Sequence, residues 1–213
     1  MSVAPVDFAS LLCSRLCHDL LSPVGALNNG LELLADETDP EMRARCLDLL
    51  SDSAKASANK LKFFRLAFGA AGGFGDMVDP NEAKSVIEPM VTADGRTELG
   101  WNVGNENLPK VAIKILLNLA LIASDALVRG GRLDIGAEQR DGITEIVIRA
   151  EGSKIIVDEE IRKTLSGGTA EADVTARTAA AWMVLDIVTS KGGEMQLSDA
   201  SSPALLVGVV IPD

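Results

Sequence analysis

Residues 15–23 read RLCHDLLSP and hold the only histidine of a 213-residue chain, His18. The imidazole stands beside a carboxylate, Asp19, five positions ahead of Pro23, inside a leucine-rich run. From Asp7 to about Asp36 the apolar positions Phe8, Leu12, Leu16, Leu20, Leu27, Leu31 and Leu34 recur at helical spacing, which predicts one long helix with an apolar stripe. The DETDP stretch, 36–40, reads as a turn, and Cys46, Leu50, Ala54, Ser57, Leu61, Phe64 and Phe68 then step by three or four along a second helix. The two form an antiparallel helical hairpin. A lone hairpin leaves part of each stripe wet, and a homodimeric four-helix bundle would cover it.

At about 100° per residue, Leu16, Leu20, Leu27, Leu31 and Leu34 fall opposite His18, which therefore points away from the core. Its own side carries Leu11, Ser14, Arg15, Leu21, Ser22, Gly25, Asn29 and Glu32, mostly small or polar residues. Pro23 removes one helical hydrogen bond and should kink the helix just past His18. Zinc is a poor fit, because Cys13 and Cys17 lie about 140° and about 100° around the helix from His18 and cannot converge with it on one tetrahedral ion. The three cysteines, Cys13, Cys17 and Cys46, read as reduced thiols within helical patterns.

Composition narrows the partners. A net charge of −11 argues against nucleic acid, which selects clustered positive charge, and favours a protein partner. Although 47% of residues are hydrophobic, no apolar run approaches the ~18 residues needed to span a membrane, and MSVAPVDF has no signal-peptide pattern. A cytoplasmic location is expected.

The glycine-rich GAAGGFG, 69–75, marks a boundary between a helical domain, 1–72, and a second domain, 76–213. The second domain reads as helix 80–91, strand 97–103, helix 109–128, strands 132–138 and 143–149, helices 157–165 and 175–190, and strands 194–198 and 204–211. ITEIVIR, 143–149, has the β-branched alternation of a half-buried strand. The expected fold is α plus α+β, with helices on one face of a mixed sheet in the second domain.

The stretch His18-Asp19-Leu20-Leu21-Ser22-Pro23-Val24 resembles the H-box of sensor histidine kinases, although Leu21 stands where a basic residue is usual. In that family the histidine carries a phosphoryl group and the second domain binds ATP. The second domain here is similar in element order, but its nucleotide boxes are degenerate. Asn118 fits the first of two asparagines, and Ile122 stands at the second, where a magnesium ligand is needed. Ala150 replaces the aspartate that accepts the adenine amino group. Thr178-Ala179-Ala180-Ala181 replaces a glycine-rich lid, leaving no glycine for close approach to phosphate.

A kinase-like bundle with a phosphorylatable histidine and no ATP site is similar to the ChpT-type histidine phosphotransferases of alphaproteobacterial phosphorelays. The likeness covers the LCHDLLSP helix, KFFRLAFGA (62–70) and the degenerate, histidine-kinase-ATPase-like second domain. It implies a homodimer that takes a phosphoryl group from the receiver domain of a hybrid histidine kinase and passes it to response regulators of the cell cycle. No cofactor is implied, since the receiver supplies magnesium.

A ring nitrogen of an imidazole can attack an aspartyl phosphate, so His18 is the expected nucleophile. Asp19 would orient it, and Arg15 would steady the phosphoryl group. The expected docking surface combines Leu11, Ser14, Leu21, Ser22 and Gly25 with Lys60, Phe64 and Phe68 on the second helix, where the two phenylalanines also fit the bundle core. Two other readings remain at this stage: an ATP-dependent sensor kinase, and a dimeric scaffold in which His18 is incidental.

Overall fold

A computed structural model describes residues 3–69 and 76–212, and opens on two long helices, α1 (Pro5–Asp36) and α2 (Pro40–Ala67). Proline at the first helical position suits both starts, since its fixed φ is helical and its missing N–H would be unpaired there anyway. The Asp39 side chain caps α2 by accepting from the Glu41 and Met42 amides, both at 3.0 Å. The helices lie side by side. They approach closely at Gly30, where an added Cβ would come within 3.0 Å of Leu50 Cδ2.

The expected stripes divide. On α1, Pro23 and Gly30 are buried, Leu16, Leu20, Leu27 and Leu34 are half-buried, and Leu31 is 57% exposed. On α2 the inward side runs through Cys46, Leu50, Ser53, Ser57, Lys60, Phe64 and Ala67. Ala54 and Leu61, expected in the stripe, are exposed beside it, because a seven-residue stepping through small Ser53 and Ser57 is what faces α1.

The expected boundary segment, Gly69 apart, lies outside the described residues. Beyond it stand β1 (Met77–Val78), α3 (Pro80–Val91), β2 (Thr97–Val103), β3 (Leu108–Pro109) and α4 (Lys110–Ala126). The order continues through β4 (Gly131–Arg140), β5 (Ile143–Glu151), α5 (Glu159–Leu165), α6 (Ala179–Ser190), β6 (Glu194–Leu197) and β7 (Ala204–Pro212). Five strands form one mixed sheet in the order β2-β4-β5-β7-β6, parallel only between β2 and β4. A tight Asp141-Gly142 turn, both residues at positive φ, joins β4 to β5, as the right-handed twist of a hairpin requires.

Alternation sets the core. Thr144, Ile146, Ile148 and Ala150 on β5, and Leu205, Val207, Val209 and Ile211 on β7, are buried on the face that meets α4 and α6. The Ile113–Ala123 segment of α4 is buried almost throughout, so this helix is the centre of the second domain. It is also the link to the hairpin: α2 packs on α3 and α4, and Phe63, Phe64, Leu66 and Ala67 join the same apolar cluster. The small β1–β3 ladder was not expected from sequence.

Candidate functional site

His18 stands on α1 with its side chain 83% exposed. Its Nδ1 lies 3.1 Å from Asp19 Oδ1. An ionised carboxylate only accepts, so this contact assigns the ring proton to Nδ1 and leaves the Nε2 lone pair free toward solvent. The second oxygen of Asp19, Oδ2, accepts from Arg15 Nε at 2.8 Å, one helical turn below. Arg15 Nη2 in turn reaches Asp125 Oδ2 at 3.3 Å, on the last turn of α4. The main chain of the same turn is also held, because Lys60 Nζ donates to the Asp19 carbonyl at 2.8 Å.

Electrostatics follow from this chain of contacts. Burial opposes the charge on Arg15, but hydrogen bonding and attraction to Asp19 and Asp125 outweigh it, and the guanidinium pKa is raised. Arg15 is therefore committed to two carboxylates. The expected phosphoryl-steadying cation is thus held in an internal pairing beside the imidazole, with only 17% of its side chain exposed. Crowding by surrounding protein raises the pKa of Asp125, the Arg15 charge opposes that rise, and the Asp19 charge adds to it.

A cation that sequence reasoning missed takes the open position. Ser14, Arg15, His18 and Asp19 line a cleft of about 460 Å³ whose far wall is Ala176 and Arg177 of the second domain. Arg177 pairs with Asp158 at 2.5 Å and keeps 65% of its side chain exposed. It directly precedes Thr178-Ala179-Ala180-Ala181, and between Lys163 and Lys191 it is the only basic residue, which was the available signal.

The other expected site residues separate into two groups. Leu21, 69% exposed, and the exposed Ser14 and Ser22 surround His18, with Leu11 and Gly25 half-exposed. An added Cβ at Gly25 would meet nothing within 4 Å, so the helix surface is open at that position, about two turns from His18. Phe64 is different: it is 1% exposed, edge-on to Phe63 with ring centroids 5.4 Å apart and 5.1 Å from Phe68. Its place on a docking surface is corrected to the core, because an aromatic at the bundle's inner seam buries its whole face.

A family model for the histidine phosphotransferase C-terminal domain matches residues 80–202. The chain is also 34% identical over 197 residues, 92% of each sequence, to the protein phosphotransferase ChpT of Brucella abortus (strain 2308). The chain belongs to the histidine phosphotransferases. It is similar throughout to a bacterial phosphotransferase of known structure, with 31% identity, 98% of both chains covered and a TM-score of 0.85. Its backbone also resembles the histidine kinase domain of Erythrobacter litoralis EL346 blue-light activated histidine kinase, with a TM-score of 0.50 at 10% identity over 90% of this chain and 94% of that one. That identity speaks for the fold alone.

The kinase-like positions of this histidine phosphotransferase have become packing. Ile122 and Ala150 are buried apolar side chains, 7% and 0% exposed. Ala179, Ala180 and Ala181 open α6 and are buried in the interior. Asn118 is fully buried: its Nδ2 donates to Lys114 O at 2.8 Å and to Ala67 O at 3.3 Å, at the end of α2, while Oδ1 has no partner among the described residues. The asparagine now fastens α4 to the hairpin. Among the described residues no group of three or more His, Cys, Asp and Glu side chains is gathered as a metal site, and no helix is long and apolar enough to cross a membrane.

Proposed function

We propose that His18 is the residue through which this histidine phosphotransferase relays phosphoryl groups between receiver domains. The observation that carries the reading is the exposed ring, tethered at Nδ1 by Asp19 with Nε2 free. In the forward step the Nε2 lone pair attacks the phosphorus of a receiver's acyl phosphate. A P–N bond forms, the P–O bond breaks, and the receiver's aspartate leaves as a carboxylate. The Nδ1 proton stays on the ring, whose developing positive charge lies against Asp19. In the second step a carboxylate oxygen of another receiver attacks the same phosphorus and the imidazole leaves.

The donor is the receiver domain of a hybrid histidine kinase, and the acceptors are response regulators of the cell cycle, as the ChpT-type likeness implies. Magnesium comes with the receiver, as the same likeness implies. Leu11, Ser14, Leu21, Ser22 and Gly25 form the docking surface, with Arg177 facing the transferring group. Nucleotide plays no part, since Ile122 cannot ligate magnesium and Ala150 cannot accept from adenine. The protein acts in the cytoplasm.

The working form is a homodimer with a four-helix bundle. Support comes from apolar side chains that the hairpin leaves outside: Val24 and Leu31 on α1, seven residues apart, and Leu47 and Leu61 on α2, 54% and 51% exposed, with Ala54 between them. Replacing Leu47 and Leu61 by glutamate should convert a dimer to a monomer in sedimentation.

The central test offers a phosphorylated receiver to the wild type and to His18→Ala, beside a lane with ATP alone. Acid-labile label on the wild type only, dependent on the receiver, supports the relay. Label from ATP without a receiver indicates a working kinase, and no label in any lane leaves only a scaffold.

A further inference from the structure

The second domain meets the histidine turn through one carboxylate, Asp125, that no part of the relay step uses directly. Its surroundings explain little of its presence. It lies on the last turn of α4, where the helix dipole is unfavourable to negative charge, and the crowding that raises its pKa further disfavours the ionised form. What it does touch is Arg15 Nη2.

Arginine presents Nε and Nη2 as a parallel fork that fits both oxygens of one carboxylate. Here the fork is divided: Nε goes to Asp19 Oδ2 and Nη2 goes to Asp125 Oδ2. That division leaves Asp19 Oδ1 for His18 Nδ1. Without Asp125 the second prong is free to turn to Asp19 Oδ1, completing the fork, and the imidazole then has to share its acceptor with a cation.

We propose that Asp125 is a positioning residue for phosphoryl transfer: by holding one prong of Arg15, it reserves Asp19 Oδ1 for His18 and so fixes the ring proton on Nδ1 and the nucleophilic lone pair on Nε2. The second domain thereby acts on the nucleophile across 110 positions of sequence, through side chains rather than through a bound nucleotide. Of the neighbouring cations, Lys60 donates to the Asp19 main chain and Arg177 pairs with Asp158, so the contacts of neither involve the Asp19 carboxylate oxygens. The inference rests on the reading of His18 as the phosphoryl acceptor.

One histidine in the chain makes the test direct, because histidine-selective ¹⁵N labelling of the full-length protein yields a single imidazole. In wild type the Nδ1–H tautomer should dominate. In Asp125→Ala the ¹⁵N pattern should move toward Nε2–H, and transfer from a phosphorylated receiver should slow about tenfold, since small misplacement of a reacting group has effects of that order or larger. Asp125→Glu, which restores an acceptor, should recover both readouts. Asp125 is exposed, so the variants should fold, and unchanged backbone amide spectra verify it. An Asp125→Ala protein with the wild-type tautomer, or with the wild-type transfer rate, overturns the positioning role. If the wild type itself takes no phosphoryl group, the reading of His18 fails instead, and the two failures are distinct.

Discussion

Lys60 Nζ is bonded to the Asp19 carbonyl oxygen, the acceptor that Pro23 strands four residues later in α1. In an uninterrupted helix that carbonyl would take the N–H of residue 23, and proline has none. The proline of RLCHDLLSP thus opens a main-chain acceptor beside the histidine, and a cation from α2 fills it. The two helices are pinned at the turn that carries His18.

The pairing predicts a coupling between residues 60 and 23. Lys60→Met should destabilise the protein by about 1 kcal/mol, because it leaves a half-buried carbonyl unbonded. In a Pro23→Ala background the backbone N–H returns and the same Lys60 change should have little effect. Urea denaturation of the four proteins checks this, and equal Lys60 effects in both backgrounds would contradict it.

Gly25→Ala separates stability from docking. Open space around the added methyl means that the usual advantage of alanine in a helix, about 0.5–1 kcal/mol, should appear as a higher Tm. The same methyl stands on the proposed docking surface and would press against a receiver seated there. Transfer from a receiver should slow even as Tm rises, which stopped-flow or label-transfer kinetics can measure.

Arg177→Ala should lower the transfer rate by roughly tenfold, through loss of a cation facing the group in transit. The His18 tautomer should be unaffected, since Arg177 touches Asp158 and not the Asp19 chain. An ¹⁵N spectrum that changes together with the rate would show that Arg177 acts on the ring and not on the phosphoryl group.

Asp125 has a pH signature of its own. Although 57% of its side chain is exposed, the protein crowded around its carboxyl raises its folded pKa, so the folded state holds this proton at a pH where the unfolded chain has released it. Its contribution to stability is therefore greatest below the ordinary carboxylate range and falls as pH rises through the raised value. Asp125→Asn removes that loss. The variant should be no less stable than wild type at neutral pH, and the gap in its favour should shrink on acidification, as measured by thermal melts across pH 3–7. A large neutral-pH destabilisation would mean that the Arg15 contact serves the fold.

Much of this architecture is legible from local pattern, since ITEIVIR alternates visibly and the helix stripes carry their own period. What escapes has physical reasons. β1 and β3 are two residues each, too short to show any alternation. Phe64 fits both a stripe and a surface on the helical projection, and only the packed rings of Phe63 and Phe68 decide between them. His18 and Asp19 are neighbours in sequence and were readable together. Asp125 reaches that turn from the second domain and Arg177 lines the same cleft, and no spacing rule connects residues brought together by tertiary packing alone.

The bond from Asn118 to the Ala67 carbonyl and the pairing of Arg15 with Asp125 bind the two walls of the His18 cleft to each other before any receiver arrives. The entropy of arranging those walls is lost once, when the chain folds, and not again at each encounter. Two receivers would therefore meet the same recess, and because the chain holds a single imidazole, they would use it in turn: occupancy by one would be inhibition of the other.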